Sequence, residues 1–184
     1  MNDAVFSTPQ TLLAHVWDLI EQSVGDRKSA ARYVTLASVG SDGRAEARVV
    51  VLRHADKRTA EVEIYTDGAS AKVAEFQANP KGTLVFWDGH ALQIRLRIDV
   101  TATLGDDASW AKLPQIARRN YGGQPAPGKP LEQAEDYVET TERDRFFRLR
   151  GTIVEIDVVF LGDTLHQRAV FERQNDFSGR WIGP

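Results

Sequence analysis

The strictest pattern in the chain lies between residues 92 and 104. Leu92, Ile94, Leu96, Ile98, Val100 and Leu104 fall on one side, and Gln93, Arg95, Arg97, Asp99, Thr101 and Thr103 on the other. A period of two is that of a strand with one face on a core. Shorter stretches repeat the theme. Tyr33–Val39, the β-branched run Val49–Leu52, the alternating Glu61–Thr66 and Thr83–Trp87 all read as strands, separated by Gly40-Ser41-Asp42-Gly43, Asp67-Gly68 and Asp88-Gly89 as turns. Arg143 to Leu161 reads as one long strand bent at Gly151, with Val154, Ile156, Val158 and Phe160 alternating beyond the bend.

Helical periodicity is confined to short pieces. Leu12, Val16, Leu19, Ile20 and Val24 share one face of a helix that stops near Gly25. Its start is set either by Ser7 with Gln10 as a capping box or by Thr8 as cap with Pro9 in the first helical position. Ser70 is placed to cap a helix carrying Val73, Ala74 and Phe76, which ends at Asn79-Pro80. A third helical stretch starts at Asp106–Ser109, includes Trp110, Leu113 and Ile116, and runs towards Arg118-Arg119-Asn120-Tyr121. Residues 122–135, rich in proline and glycine, read as a long loop, and the mixed polar and aromatic tail is placed to reach a partner subunit.

At least six strands with hairpin-like connections predict a mainly β, antiparallel fold, and closing the sheet into a barrel removes exposed edges. The expected organisation is a single domain over residues 1–184, with residues 1–26 as an N-terminal helical segment packed on the barrel and 105–142 as a helix and loop insertion. A length of 184 residues fits one core.

Composition narrows the function classes. The chain has no cysteine, which excludes disulfides, thiolate metal sites and a thiol nucleophile. His15, His54, His90 and His166 lack metal-ligand spacing, so no metal is expected. A net charge of −3 argues against general nucleic-acid binding. No signal peptide or membrane-length apolar run is visible, so the expected location is cytoplasmic, away from membranes. Neither a G-x-G-x-x-G fingerprint after a strand nor a G-x-S-x-G elbow occurs, and the turn glycines need no phosphate to explain them.

Four motifs in order carry more information: R-V-V-V-L-R at 48–53, Y-T-D-x-x-S-x-K at 65–72, N-P at 79–80 and Q-I-R at 93–95, followed by L-H-Q-R at 165–168 and the ending Trp181–Pro184. Together they resemble the pyridoxamine 5′-phosphate oxidase family, whose members are split barrels that bind FMN and work as homodimers. The resemblance implies an FMN site built from residues 48–53 (Arg48, Val49, Val50, Val51, Leu52 and Arg53) with Tyr65, Thr66, Ser70 and Lys72 at the phosphate and ribityl end. Gln93, and Arg168 from the partner chain, would meet the isoalloxazine. Arg53 and His166 are the candidate substrate contacts. The chemistry of the residues agrees: cations and hydroxyls suit a phosphate, and an amide that both donates and accepts suits the ring edge. Arg48 and Arg53 are five apart, so both can serve one ligand only if the strand ends or bulges near Leu52; Arg48 is the stronger candidate.

The departures from the family fall on the substrate side. Arg53 stands where the oxidase has a lysine, Thr164 where it has an arginine, and Ala71 where an arginine precedes the helix lysine. A flavin-adjacent tryptophan would align near Val158, and the middle segment has no matching phosphate ligands between Asp106 and Gly128. The expected function is therefore an FMN-dependent oxidoreductase of a small molecule other than pyridoxamine phosphate. A carrier or sensor holding flavin, haem or deazaflavin on the same barrel is the alternative, and a cofactor-free dimeric scaffold the third reading.

Overall fold

A computed structural model describes residues 6–184. It has eight strands: β1 (Tyr33–Val39), β2 (Ala45–Asp56), β3 (Glu61–Asp67), β4 (Lys81–Trp87), β5 (Leu92–Leu104), β6 (Phe146–Leu161), β7 (His166–Glu172) and β8 (Arg180–Ile182). They form one antiparallel sheet in the order β3-β2-β1-β4-β5-β6-β7-β8, and the additional β3–β6 pairing closes the first six into a barrel. This is the expected mainly β split barrel. The last two strands extend the sheet beyond the closure, and sequence reading missed them because their apolar residues are too few to alternate clearly.

The barrel interior is filled by the predicted strand face. Leu92, Ile94, Leu96, Ile98 and Val100 are buried beside Leu36, Leu52, Ile64, Leu84, Ile156 and Val158. Leu104, assigned above to the same face, is instead 51% exposed, because β5 leaves the core there. No break of pairing marks Gly151, where a bend is expected from sequence. Pairing with β5 is continuous through Gly151, and the register breaks where Arg97 faces Glu155 but Ile98 faces Ile153. The extra residue is Val154, so Ile153 rather than Val154 points into the core. A bulge of this kind flips the inward parity of everything before it.

Helix α1 (Pro9–Gly25) starts by the second of the two routes: Thr8 is the cap, Pro9 opens the helix, and the Thr11 N–H donates to Thr8 Oγ1 at 3.2 Å. Its buried stripe, Leu12, Val16, Trp17 and Ile20, joins the barrel core. Helix α2 (Ala71–Ala78) follows β3, with Val73 and Phe76 buried. The helical stretch after β5 is split into α3 (Asp107–Ala111) and α4 (Gln115–Arg118), because Pro114 cannot continue the first helix, and Ile116 is 75% exposed. The insertion between β5 and β6 is anchored by a second, small cluster of Leu113, Tyr121 and Phe146, packed against Tyr65 and Trp110. No helix among the described residues is long and apolar enough to cross a membrane.

Candidate functional site

Where β2, β3, the N-terminal end of α2 and the insertion meet, they enclose a cleft of about 310 Å³. Its walls are Val49, Val50, Val51, Arg53, Tyr65, Thr66, Asp67, Ser70, Lys72, Asn120, Tyr121 and Pro127. The turn after β3 builds its basic end. Ser70 occupies the cap position of α2, yet its hydroxyl caps nothing; it accepts instead from the Lys72 ammonium. Lys72 Nζ also donates to Thr66 Oγ1 at 3.2 Å. One ammonium and two hydroxyls thus converge beside an uncapped helix start, an arrangement suited to an anion. Burial, and then the charge of Arg48, push the Lys72 pKa below its usual value. The carboxylates of Glu75 and Asp67 act in the opposite sense without reversing the shift, and none among the described residues pairs with the Lys72 ammonium.

Asp67 lines the cleft with its carboxylate engaged by three donors, and its charge is still felt at Lys72. It accepts from the Ala69 N–H and the Gly122 N–H, each at 2.8 Å, and from Arg145 Nε at 2.8 Å. These bonds tie the turn before α2 to the insertion and to the start of β6. Arg53 stands over the Tyr65 ring, with its guanidinium carbon 5.9 Å from the ring centroid, and pairs with no carboxylate among the described residues. Tyr65 and Tyr121 pack against Phe146 at centroid distances of 4.9 and 5.0 Å. Burial is the leading cause of their high phenol pKa values, with Tyr121 pushed up to about 12. The cleft is therefore cationic at its floor and neutral and aromatic at its wall.

The irregularity required near Leu52 is present: β2 pairs Leu52 with Ile64 and then His54 with Glu63, leaving Arg53 as the extra residue. It does not bring the two arginines together. Arg48 lies opposite Leu36 in the register and donates to Glu75 Oε2 at 2.9 Å and to Ser38 Oγ. Arg53, ranked second above, lines the cleft, and Arg48 does not. Leu52 is fully buried in the core.

Gln93, His166 and Arg168 are also absent from the lining. Along the sheet, Val51 faces Tyr33 on β1, Trp87 on β4 faces Gln93 on β5, Gln93 faces Val159 on β6, and Val159 faces Arg168 on β7. The shorter way round the closed barrel puts both β5 and β7 three strands from β2, about 14 Å at about 4.8 Å per strand. Arg168 donates from Nε and Nη2 to Asp157 at 3.0 and 2.9 Å, and His166 is exposed at the start of β7. Thr164, also exposed, sits in the turn before it. Sequence reading missed Asp67, although it lies inside a quoted motif, and also Asn120, Tyr121 and Pro127. The only signal for the last three was the length and composition of the segment containing them.

Comparisons with known proteins agree with this architecture. Residues 20–152 match the model of the pyridoxamine 5′-phosphate oxidase family. A pyridoxine/pyridoxamine 5′-phosphate oxidase of Azorhizobium caulinodans is 32% identical over 160 residues, covering 77% of this chain and 74% of that protein. The enzyme of the same description from Paraburkholderia phytofirmans is 32% identical over 127 residues, and the match spans only 58% of its length. Among solved structures, a pyridoxamine 5′-phosphate oxidase-related, FMN binding protein of Nostoc punctiforme superposes with a TM-score of 0.76 at 25% identity, covering 93% of this chain and 96% of that one. PhzG of Burkholderia lata, at 19% identity and a TM-score of 0.70 over 99% of this chain and 95% of its own, shares the fold. By its barrel, its ordered motifs and these matches, the chain belongs to the pyridoxamine 5′-phosphate oxidase family.

Proposed function

We propose that the protein is an FMN-dependent oxidoreductase that works as a homodimer, with each flavin held between two copies. The observation that carries the cofactor assignment is the Lys72, Thr66 and Ser70 cluster, which lacks a carboxylate partner and lies at the uncapped start of α2. A phosphate would fill that place. In this reading Lys72, Ser70 and Thr66 hold the phosphate, while Arg48, fixed by Glu75, adds positive charge close by. Arg53, Tyr65 and the backbone of Val49–Val51 would run alongside the ribityl chain. FMN, when bound, supplies two-electron chemistry that the side chains of this protein cannot.

The dimer follows from where the other candidates stand. The outer face of the barrel carries exposed apolar side chains, among them Val49 at 66%, Tyr33 at 58% and Trp87 at 44%. Gln93 and Arg168 lie on that same face. A second copy packed there would cover the apolar side chains and could bring its Arg168 towards the flavin ring, as the resemblance implies. Tyr121 and Asn120 close the cleft from the insertion and would meet substrate beside Arg53, with His166 reaching it only from the partner copy. Pyridoxamine phosphate fits poorly, because Thr164 supplies no cation and arginine for lysine at residue 53 changes donor geometry.

The test has two arms. Titration with FMN, read by quenching of flavin fluorescence, should saturate at one flavin per chain. A chain that binds no FMN at micromolar concentration would refute the assignment. The holoprotein incubated in air with pyridoxamine or pyridoxine phosphate should form little pyridoxal phosphate; turnover near ~1 per second, the low end for ordinary enzymes, would refute the substrate reading.

A further inference from the structure

We infer that Asp157 is a positioning residue that fixes Arg95 and Arg168 as one two-guanidinium unit at the ring end of the flavin site. This rests on the reading above that Arg168 meets the flavin of the partner.

Asp157 lies on β6, opposite Arg95 of β5, and diagonally beside Arg168 of β7, whose register partner is Val159. Its side chain is only 7% exposed although it stands on the outer face of the sheet, because the two arginines cover it. Arg168 grips it with a two-point fork, Nε to Oδ1 and Nη2 to Oδ2. Arg95 Nη2 donates to the same Oδ2. Burial raises the Asp157 pKa, but the hydrogen bond from Arg168 and the charges of Arg95 and Arg168 outweigh it and hold the carboxyl below its ordinary value. The aspartate is thus an anion shared by two cations, and the unit keeps a net charge of about +1.

The fork matters for direction. A free arginine on a strand samples many rotamers, whereas a bidentate pair fixes the plane of the guanidinium. With Nε and Nη2 committed to Asp157, Nη1 of Arg168 is left without an acceptor among the described residues. Val158, where the family places a tryptophan near the flavin, is fully buried and faces the core. At this point of β6 the outer face is therefore formed by Asp157 and Val159. The two-guanidinium unit suits the acceptor edge of a flavin, which gains negative charge on reduction.

The experiment compares full-length Asp157→Asn, Arg168→Met and the double variant, each titrated with FMN and with riboflavin. The ring end is common to both ligands, so each single variant should weaken both by about tenfold, the effect of one charge-assisted hydrogen bond. The double variant should be no weaker than Arg168→Met alone, because Asp157 acts through that arginine. Asp157→Glu keeps the charge but displaces the fork, and should weaken both ligands in the same direction; it serves if Asp157→Asn fails to fold. Additive losses, or an Asp157→Asn protein of lowered melting temperature with unchanged flavin affinity, would overturn the inference and leave a merely structural ion pair. Unchanged affinities in Arg168→Met would overturn the shared-site reading itself.

Discussion

Lys72→Met should separate the phosphate of FMN from the rest of the ligand. Among the described residues the Lys72 ammonium donates to two neutral oxygens, those of Thr66 and Ser70. A phosphate oxygen in their place would convert one contact into a charge-assisted hydrogen bond, which contributes about 1.5–3 kcal/mol. Removing it predicts a loss of roughly tenfold to 150-fold in FMN affinity. Riboflavin lacks the phosphate, so its affinity should change by less than about twofold. Isothermal titration of both ligands against both proteins measures the difference directly. The pH dependence gives a second readout. The Lys72 pKa lies below its usual 10.5 in the free chain and should rise on binding a phosphate, so FMN affinity should fall as pH climbs through the free-chain value. The variant should lose that slope. The sign for folding is opposite: a depressed lysine binds fewer protons folded than unfolded, so the stability of the free chain gains from this group as pH rises, and Lys72→Met should not lower its melting temperature. Equal weakening of FMN and riboflavin would refute the placement of Lys72 at the phosphate.

Three further outcomes follow from the packing around the cleft. Gly105→Ala would drive a Cβ into the ring of the fully buried Phe146, and overpacking of about 1–3 kcal/mol predicts a melting temperature lower by roughly 2–12 °C; an unchanged melting temperature would show that the ring can move. Glu75→Gln removes the carboxylate that fixes Arg48 and should lower thermal stability, measured by calorimetry, while the positive charge it uncovers beside Lys72 should leave FMN affinity no weaker by titration; a loss of FMN affinity would show that the position of Arg48, more than the net charge, serves the phosphate. Spectrophotometric titration should show Tyr121 ionising near pH 12 and a last step missing in Tyr121→Phe, whereas a step near pH 10 assigned to Tyr121 would mean that the insertion does not bury it.

The barrel was legible because its strands obey period two over long stretches. β1 and β5 were bounded to the residue, since Gly40 and Asp88 open turns that no strand continues through. The bulge at Val154 was not legible: a single extra residue leaves an apolar sequence apolar, and only the register with β5 reveals which side chain turns inward. The site divided along the same line. Thr66, Ser70 and Lys72 are close in sequence and meet through one turn, so motif spacing found them. Tyr121 reaches the cleft through Phe146 and the Gly122–Asp67 bond, a contact across 55 residues that no local pattern encodes. Arg53 lines the cleft and Arg48 does not, because Arg48 shares the face of the core residue Leu36.

The claim that each flavin lies between two copies is tested most directly by mixing two defective chains. Lys72→Met damages the phosphate end, and Arg168→Met damages the ring end. In a dimer of one of each, a shared site combines both defects at one flavin and neither at the other. Unfolding and refolding an equimolar mixture should therefore restore tight FMN binding at about a quarter of all sites, since about half the dimers are mixed and each regains one intact site. A mixture that binds no more tightly than the two parents would contradict the account and place the whole site within a single chain.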